Sequence, residues 1–242
     1  MKILRDINLS RVLFIDIETV PSTADFSDLP EDIAGLWDKK SNYFRKEGEG
    51  PADVSNRAGI YAEFGKIICI SAGFLRGSSD SMSMRIKSFF GDNEKEILED
   101  FSVLLNNFTE GKDALLCAHN GKEFDFPYIA RRMLINDLRI PLILDNAGKK
   151  PWEIGLLDTM ELWKFGDFKS FTSLNLLTRL FGIPTPKDDI DGSMVSQVYW
   201  KDKDLERIAR YCEKDVVAMI QLFLRFRGNK IIPDDRIESV TF

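Results

Sequence analysis

Apolar positions come as short β-branched runs in the first two thirds of the chain and as longer 3.6-residue patterns toward its end. Residues 12–18 (VLFIDIE) read as a first strand, 65–74 (GKIICISAGF) as a central strand and 81–90 (SMSMRIKSFF) as a half-buried one, with RGSSD predicting a hairpin between the last two. Within residues 93–108, Ile97, Leu98, Phe101, Leu104 and Leu105 recur at helical spacing with acids near the start. ALLCA (114–118) predicts a short buried strand, HNGKEFD a loop, and the following residues a helix to about 136. IGLLDTM (154–160) reads as one more strand. Helices at 174–181 and 203–227 flank a Gly/Pro/Asp-rich loop, GIPTPKDDIDG. Three strands, then alternating helix and strand, then helices predict an α/β fold. The expected mixed sheet has an antiparallel hairpin part and parallel additions, with helices on both faces.

Between the first two strands lies a stretch, about 21–59, rich in acids, Lys, Gly and Asn but carrying Phe26, Leu29, Trp37, Tyr43 and Phe44. So long a connection is expected to be an insertion with some helix of its own. Its aromatics suit either packing against the domain, the commoner use, or stacking on bases.

Composition narrows the chemistry. At 242 residues, 44% hydrophobic and 30% charged, the chain has the size and composition of one large soluble domain, taken here as 1–242. No apolar run approaches the ~18 residues of a membrane span, and MKILRDINLS lacks the apolar core of a signal peptide, so a cytoplasmic protein without membrane contact is expected. Cys69, Cys117 and Cys212 are far apart and read as reduced core thiols. His119 is the single histidine, which excludes any mechanism that needs two. A net charge of −6 argues against an extended grip on duplex nucleic acid.

Carboxylates are left to carry the chemistry. In FIDIET, a strand would point Asp16 and Glu18 to the same face, where like charges raise each other's pKa unless something positive compensates. The alternative is a strand that ends near residue 16, with Glu18 in an exposed turn before Pro21. In YCEKDVV, Tyr211 and Asp215 are four apart and share a helix face at the edge of an apolar stripe. In HNGKEFDFPYI, Asp125 stands where a helix begins, either as its N-cap or as a further functional acid.

Taken in order, D-I-E, N-G-K-E-F-D and Y-C-E-K-D resemble the three motifs of the DEDD superfamily of 3′-to-5′ exonucleases, in the branch with Tyr in the third motif. The resemblance extends over about residues 11–227 and is nearest to the proofreading domain of family B DNA polymerases and its standalone bacterial relatives, and a chain without a polymerase domain is expected. It implies a ribonuclease H-like fold with a five- or six-stranded sheet. It also implies that Asp16, Glu18, Asp125 and Asp215 converge on two divalent ions, Mg²⁺ or Mn²⁺, with Asp16 bridging them and Tyr211 positioning the attacking water. Thr19, Asn120 and Phe124 match positions near the substrate in that family, and Lys187 precedes the third motif as a candidate phosphate contact. His119 and Asp158 are expected to be structural, the latter as a helix cap.

The implied activity is removal of nucleotides from the 3′ end of single-stranded nucleic acid, DNA before RNA. The competing expectation is an end-binding or proofreading accessory to a separate DNA polymerase. The presence of all four acids and the tyrosine favours the enzyme.

Overall fold

Strand β1 runs through Val12–Pro21, so both acids of FIDIET lie inside it and the alternative of an early strand end does not hold. The structure is a computed structural model and describes residues 1–77, 81–111, 113–150, 153–167, 169, 171–184 and 190–242. Helix α1 (Lys2–Arg5) precedes β1, and α2 (Glu31–Ser41) lies in the long connection that follows it. Strands β2 (Gly65–Arg76) and β3 (Ser83–Phe90) pair antiparallel as the predicted hairpin, whose turn at 78–80 lies outside the described residues. Then come α3 (Glu94–Thr109), β4 (Leu115–Ala118), α4 (Asp125–Ile135), β5 (Leu156–Asp158) and α5 (Thr159–Lys164). The chain finishes with α6 (Leu174–Leu180), α7 (Val195–Gln197, continued by a π-helical turn at Val198–Asp202), α8 (Leu205–Arg227) and β6 (Ile237–Ser239).

The sheet order is β5-β4-β1-β2-β3-β6, with β1 antiparallel to β2 and parallel to β4. This mixed sheet, helices on both faces, is the ribonuclease H-like arrangement. Phe14, Asp16 and Glu18 face α8, where the Phe14 and Phe223 rings meet edge-on with centroids 5.2 Å apart. Helices α3 and α4 cover the opposite face against Ile15, Ile17 and Ile70.

Two close approaches set the helix positions. A Cβ at Gly73 of β2 would lie 2.7 Å from Val216 Cγ1 and 3.0 Å from Ile220 Cδ1, so glycine there lets α8 settle on the sheet. On the other face, buried Glu94 binds Arg132 through two nitrogens, one at 2.8 Å and one at 2.5 Å, and accepts from Ile67 N–H at 2.7 Å and Asn136 Nδ2 at 3.0 Å. That paired and hydrogen-bonded charge joins α3, α4 and β2, and so fixes where α4 begins.

Residues 22–64 form their own small core. Trp37 is fully buried with Val54 and Ala58, ringed by Phe44, Tyr61 and Phe64, and its Nε1 donates to Pro51 O at 2.9 Å. Most of the aromatics of the connection therefore pack. Tyr128 of α4 ties the unit down by donating to Gly59 O at 2.8 Å.

Local differences from the sequence reading have local causes. The strand expected at 154–160 stops at Asp158, whose carboxylate accepts from the backbone N–H groups of Met160 and Glu161 and starts α5. Strand β6 escaped notice because three residues flanked by polar ones carry no period; it is pinned by Glu213 of α8, which accepts from the hydroxyls of Ser88 and Ser239, at 3.0 and 3.2 Å, and of Thr241. All three cysteines are buried and unbonded, as expected.

Candidate active site

The site is built on the half of β1 that extends past β4. Pairing with β4 ends at Phe14, which leaves the β4-side edge of residues 15–21 open. Asp125, the first residue of α4, fills that edge: its Oδ1 accepts from Ile17 N–H at 3.2 Å, and the residue is only 4% exposed. The N-cap position belongs to Phe124, so the cap reading of Asp125 is corrected; its carboxylate is aimed at β1 between Asp16 and Glu18.

From the α8 face, the Cys212 thiol donates toward Asp16 at 3.3 Å to Oδ2 and 3.4 Å to the carbonyl oxygen. Ligand-capable atoms of Asp16, Glu18 and Cys212 lie within 4.8 Å of one another. One residue before Cys212 and one turn before Asp215, the Tyr211 hydroxyl hydrogen-bonds the Asp215 carboxylate. Four acids and a phenol from β1, α4 and α8 thus meet at one edge of the sheet.

The electrostatics are unfavourable for bare carboxylates. Burial, then repulsion from Asp215, Asp125 and Glu18, holds the Asp16 pKa well above the carboxylate range. Glu18 is raised in the same way by burial and then by Asp215. Asp125 is pushed up to about 7 by burial, against the opposing hydrogen bonds from its own backbone and from Ile17. The Tyr211 phenol is driven far up by burial and by the three acids around it, so it is neutral at any physiological pH. Among the described residues, Asp16, Glu18 and Asp125 form no ion pair with any Lys, Arg or His. A cluster of oxygen donors that repel one another fits hard divalent cations. The thiol of Cys212 is a softer neighbour; burial raises its pKa well above the usual value, so it serves Asp16 as a neutral donor.

Thr19 follows a bulge in the β1–β2 ladder and its hydroxyl is engaged by Tyr128. Asn120 sits in the left-handed region at φ 65°, and its Oδ1 is buried without a hydrogen-bond partner. The Phe124 ring packs against Tyr128 with centroids 5.3 Å apart. Lys187 lies outside the described residues. Asp158, besides capping α5, accepts from Asn120 N–H at 2.9 Å and Lys122 N–H at 3.1 Å, which holds the loop that leads to Asp125. His119 is structural: its Nε2 donates to Thr172 O at 2.9 Å, and its Nδ1 is 2.8 Å from Thr159 Oγ1.

Residues 60–232, which contain the Asn120–Asp125 and Tyr211–Asp215 motifs, match a family model described as a predicted 3′-5′ exonuclease related to the exonuclease domain of PolB. The chain belongs to this family. Asp16 and Glu18 precede the matched segment and join it through the fold. A DNA polymerase from Pyrococcus glycovorans is 22% identical over 147 residues, 55% of this chain and 18% of that protein. The solved family B DNA polymerase of the hyperthermophilic archaeon Pyrobaculum calidifontis superposes with a TM-score of 0.53 at 15% identity over 88% of this chain and 24% of its own. The exonuclease-family chain therefore spans less than a quarter of the length of either polymerase, and the likeness to the solved one is a likeness of fold.

Proposed function

We propose that the protein is a metal-dependent 3′-to-5′ exonuclease of the Tyr-containing DEDD branch that acts on single-stranded ends, DNA in preference to RNA. The observation that carries this reading is the convergence of Asp16, Glu18, Asp125 and Asp215, from three separate elements, at the open edge of β1 with Tyr211 bonded to Asp215. Family membership supports the reaction class.

In this reading the four carboxylates hold two divalent ions, Mg²⁺ or Mn²⁺, which when bound neutralise phosphate charge and make water nucleophilic at neutral pH. The work of the chain is to prepare that site. Ile17 N–H orients the Asp125 carboxylate, and the Cys212 thiol occupies one oxygen of Asp16 and leaves the other to face the site. Tyr211 keeps its proton, so its hydroxyl orients the attacking water by hydrogen bonding while a carboxylate neighbour accepts the proton that water loses. The leaving group is the 3′-oxygen of the preceding nucleotide. An overall acidic chain suits an enzyme that grips a few terminal nucleotides and relies on cations for phosphate charge.

A gel time course on 5′-labelled single-stranded DNA and RNA with Mg²⁺, Mn²⁺ or EDTA tests this. The expected result is a metal-dependent ladder that shortens from the 3′ end, faster on DNA and lost in Asp16→Ala. Retained binding without cleavage would replace the enzyme with the end-binding accessory.

A further inference from the structure

A cavity of about 340 Å³ opens where β1 ends, between the connection that follows the strand and the helical turn before α8. Pro21, at its edge, is three residues past Glu18 on the same strand, roughly 10 Å at about 3.3 Å per residue. We propose that this cavity seats one nucleobase of the bound strand and so makes hydrolysis depend on a base at a single position; the inference rests on the nuclease reading above.

Size and lining support it. The volume lies at the small end of ligand pockets, which suits one base and its sugar rather than a run of nucleotides. Phe26 and Phe64 line it as aromatic walls for stacking. Asn56, from the connection after β1, and Gln197, from α7, line it as well, and among the described residues neither carboxamide is hydrogen-bonded to another group. A carboxamide offers a donor and an acceptor side by side, the pairing that matches a base edge. Lys201 is part of the lining, and Lys203 and Lys66 each place Nζ 5.1 Å from the Trp200 ring that borders the cavity. In a chain of net charge −6, these lysines gather positive charge beside the cavity, where the phosphates of a seated strand would run. Asp25 is the one carboxylate in the lining, against Lys201; Asp16, Glu18, Asp125 and Asp215 take no part in it, so the cavity is separate from the hydrolytic cluster.

The test uses oligonucleotides that carry one abasic site at each of the first four positions from the 3′ end, with the wild type and an Asn56→Ala/Gln197→Ala double variant. Wild-type kcat/KM falls about tenfold for an abasic site at one position and little at the others. In the double variant the intact oligonucleotide loses a similar factor, mainly through KM, and the penalty at that position disappears. Equal penalties at every position, or a penalty that the double variant retains, would overturn the subsite. Both proteins should still gain thermal stability from Mn²⁺, because the acids are untouched. A wild type that neither hydrolyses the intact oligonucleotide nor responds to Mn²⁺ would overturn the nuclease reading itself.

Discussion

Asp125 shows how one side chain is made useful by where its helix begins. Its carboxylate replaces a strand neighbour on β1, and burial pushes its pKa up to about 7. The pKa values of Asp16, Glu18 and Asp125 are all raised in the folded state, so between about pH 4 and 7 the metal-free folded protein holds more protons than the unfolded chain. Stability therefore falls as pH rises through that window. His119 acts in the opposite sense: burial lowers its folded pKa, so it costs stability as pH falls below 6.5. With three acids against one histidine, thermal melts in EDTA should show Tm falling from pH 4.5 to 7.5, and Asp125→Asn should flatten the slope. Saturating Mn²⁺ should remove it, since the ions bind the deprotonated carboxylates. Tyr211→Phe should fold normally, bind metal and lose about 10²-fold in kcat, read from single-turnover hydrolysis. The candidate acids and the tyrosine were singled out by the ordered resemblance of D-I-E, N-G-K-E-F-D and Y-C-E-K-D to the exonuclease motifs, since spacing put only Asp16 with Glu18 and Tyr211 with Asp215 on a shared face and left Asp125 as a helix cap. The contact of Cys212 with Asp16 was not legible, since a buried cysteine reads the same whatever it touches across 196 positions of chain.

At the scale of elements, long strands and helices were legible from period and composition. Strand β1 announced itself by Val, Leu, Phe and Ile, and α8 by a stripe of nearly two dozen residues' length. Elements held by tertiary partners were not: β6 exists through Glu213 and its hydroxyl donors, and β5 is cut short by the cap made by Asp158. Two substitutions test how the helices are held. Gly73→Ala forces a methyl group into Val216 and Ile220, so it should cost about 1–3 kcal/mol by denaturant melts and lower kcat by shifting α8 off β1. Arg132→Leu leaves the Glu94 charge buried without its partner and should cost about 3–5 kcal/mol, with α4 and Asp125 loosened. A loss below about 1 kcal/mol for Arg132→Leu would mean that the pair does not position α4.

For the molecule as a whole, the fold brings together Asp16 and Asp215, 199 positions apart, and places their charges where β4 stops short of the end of β1. The mixed sheet, with its antiparallel hairpin and parallel additions, followed from the succession of strands and helices, whereas the strand order and β6 did not. The small aromatic core around Trp37 did not, because aromatics spread through a polar stretch fit packing and base stacking equally well until their ring contacts are known. In the proposed reading the fold holds four carboxylates in mutual repulsion for cations to relieve. Thermal melting of the wild type and Asp16→Asn, in EDTA and in Mn²⁺, tests it most directly. Mn²⁺ should raise the wild-type Tm, whereas Asp16→Asn should melt higher than the wild type in EDTA and gain nothing from Mn²⁺. A wild type indifferent to Mn²⁺, or a variant that responds as the wild type does, would contradict it.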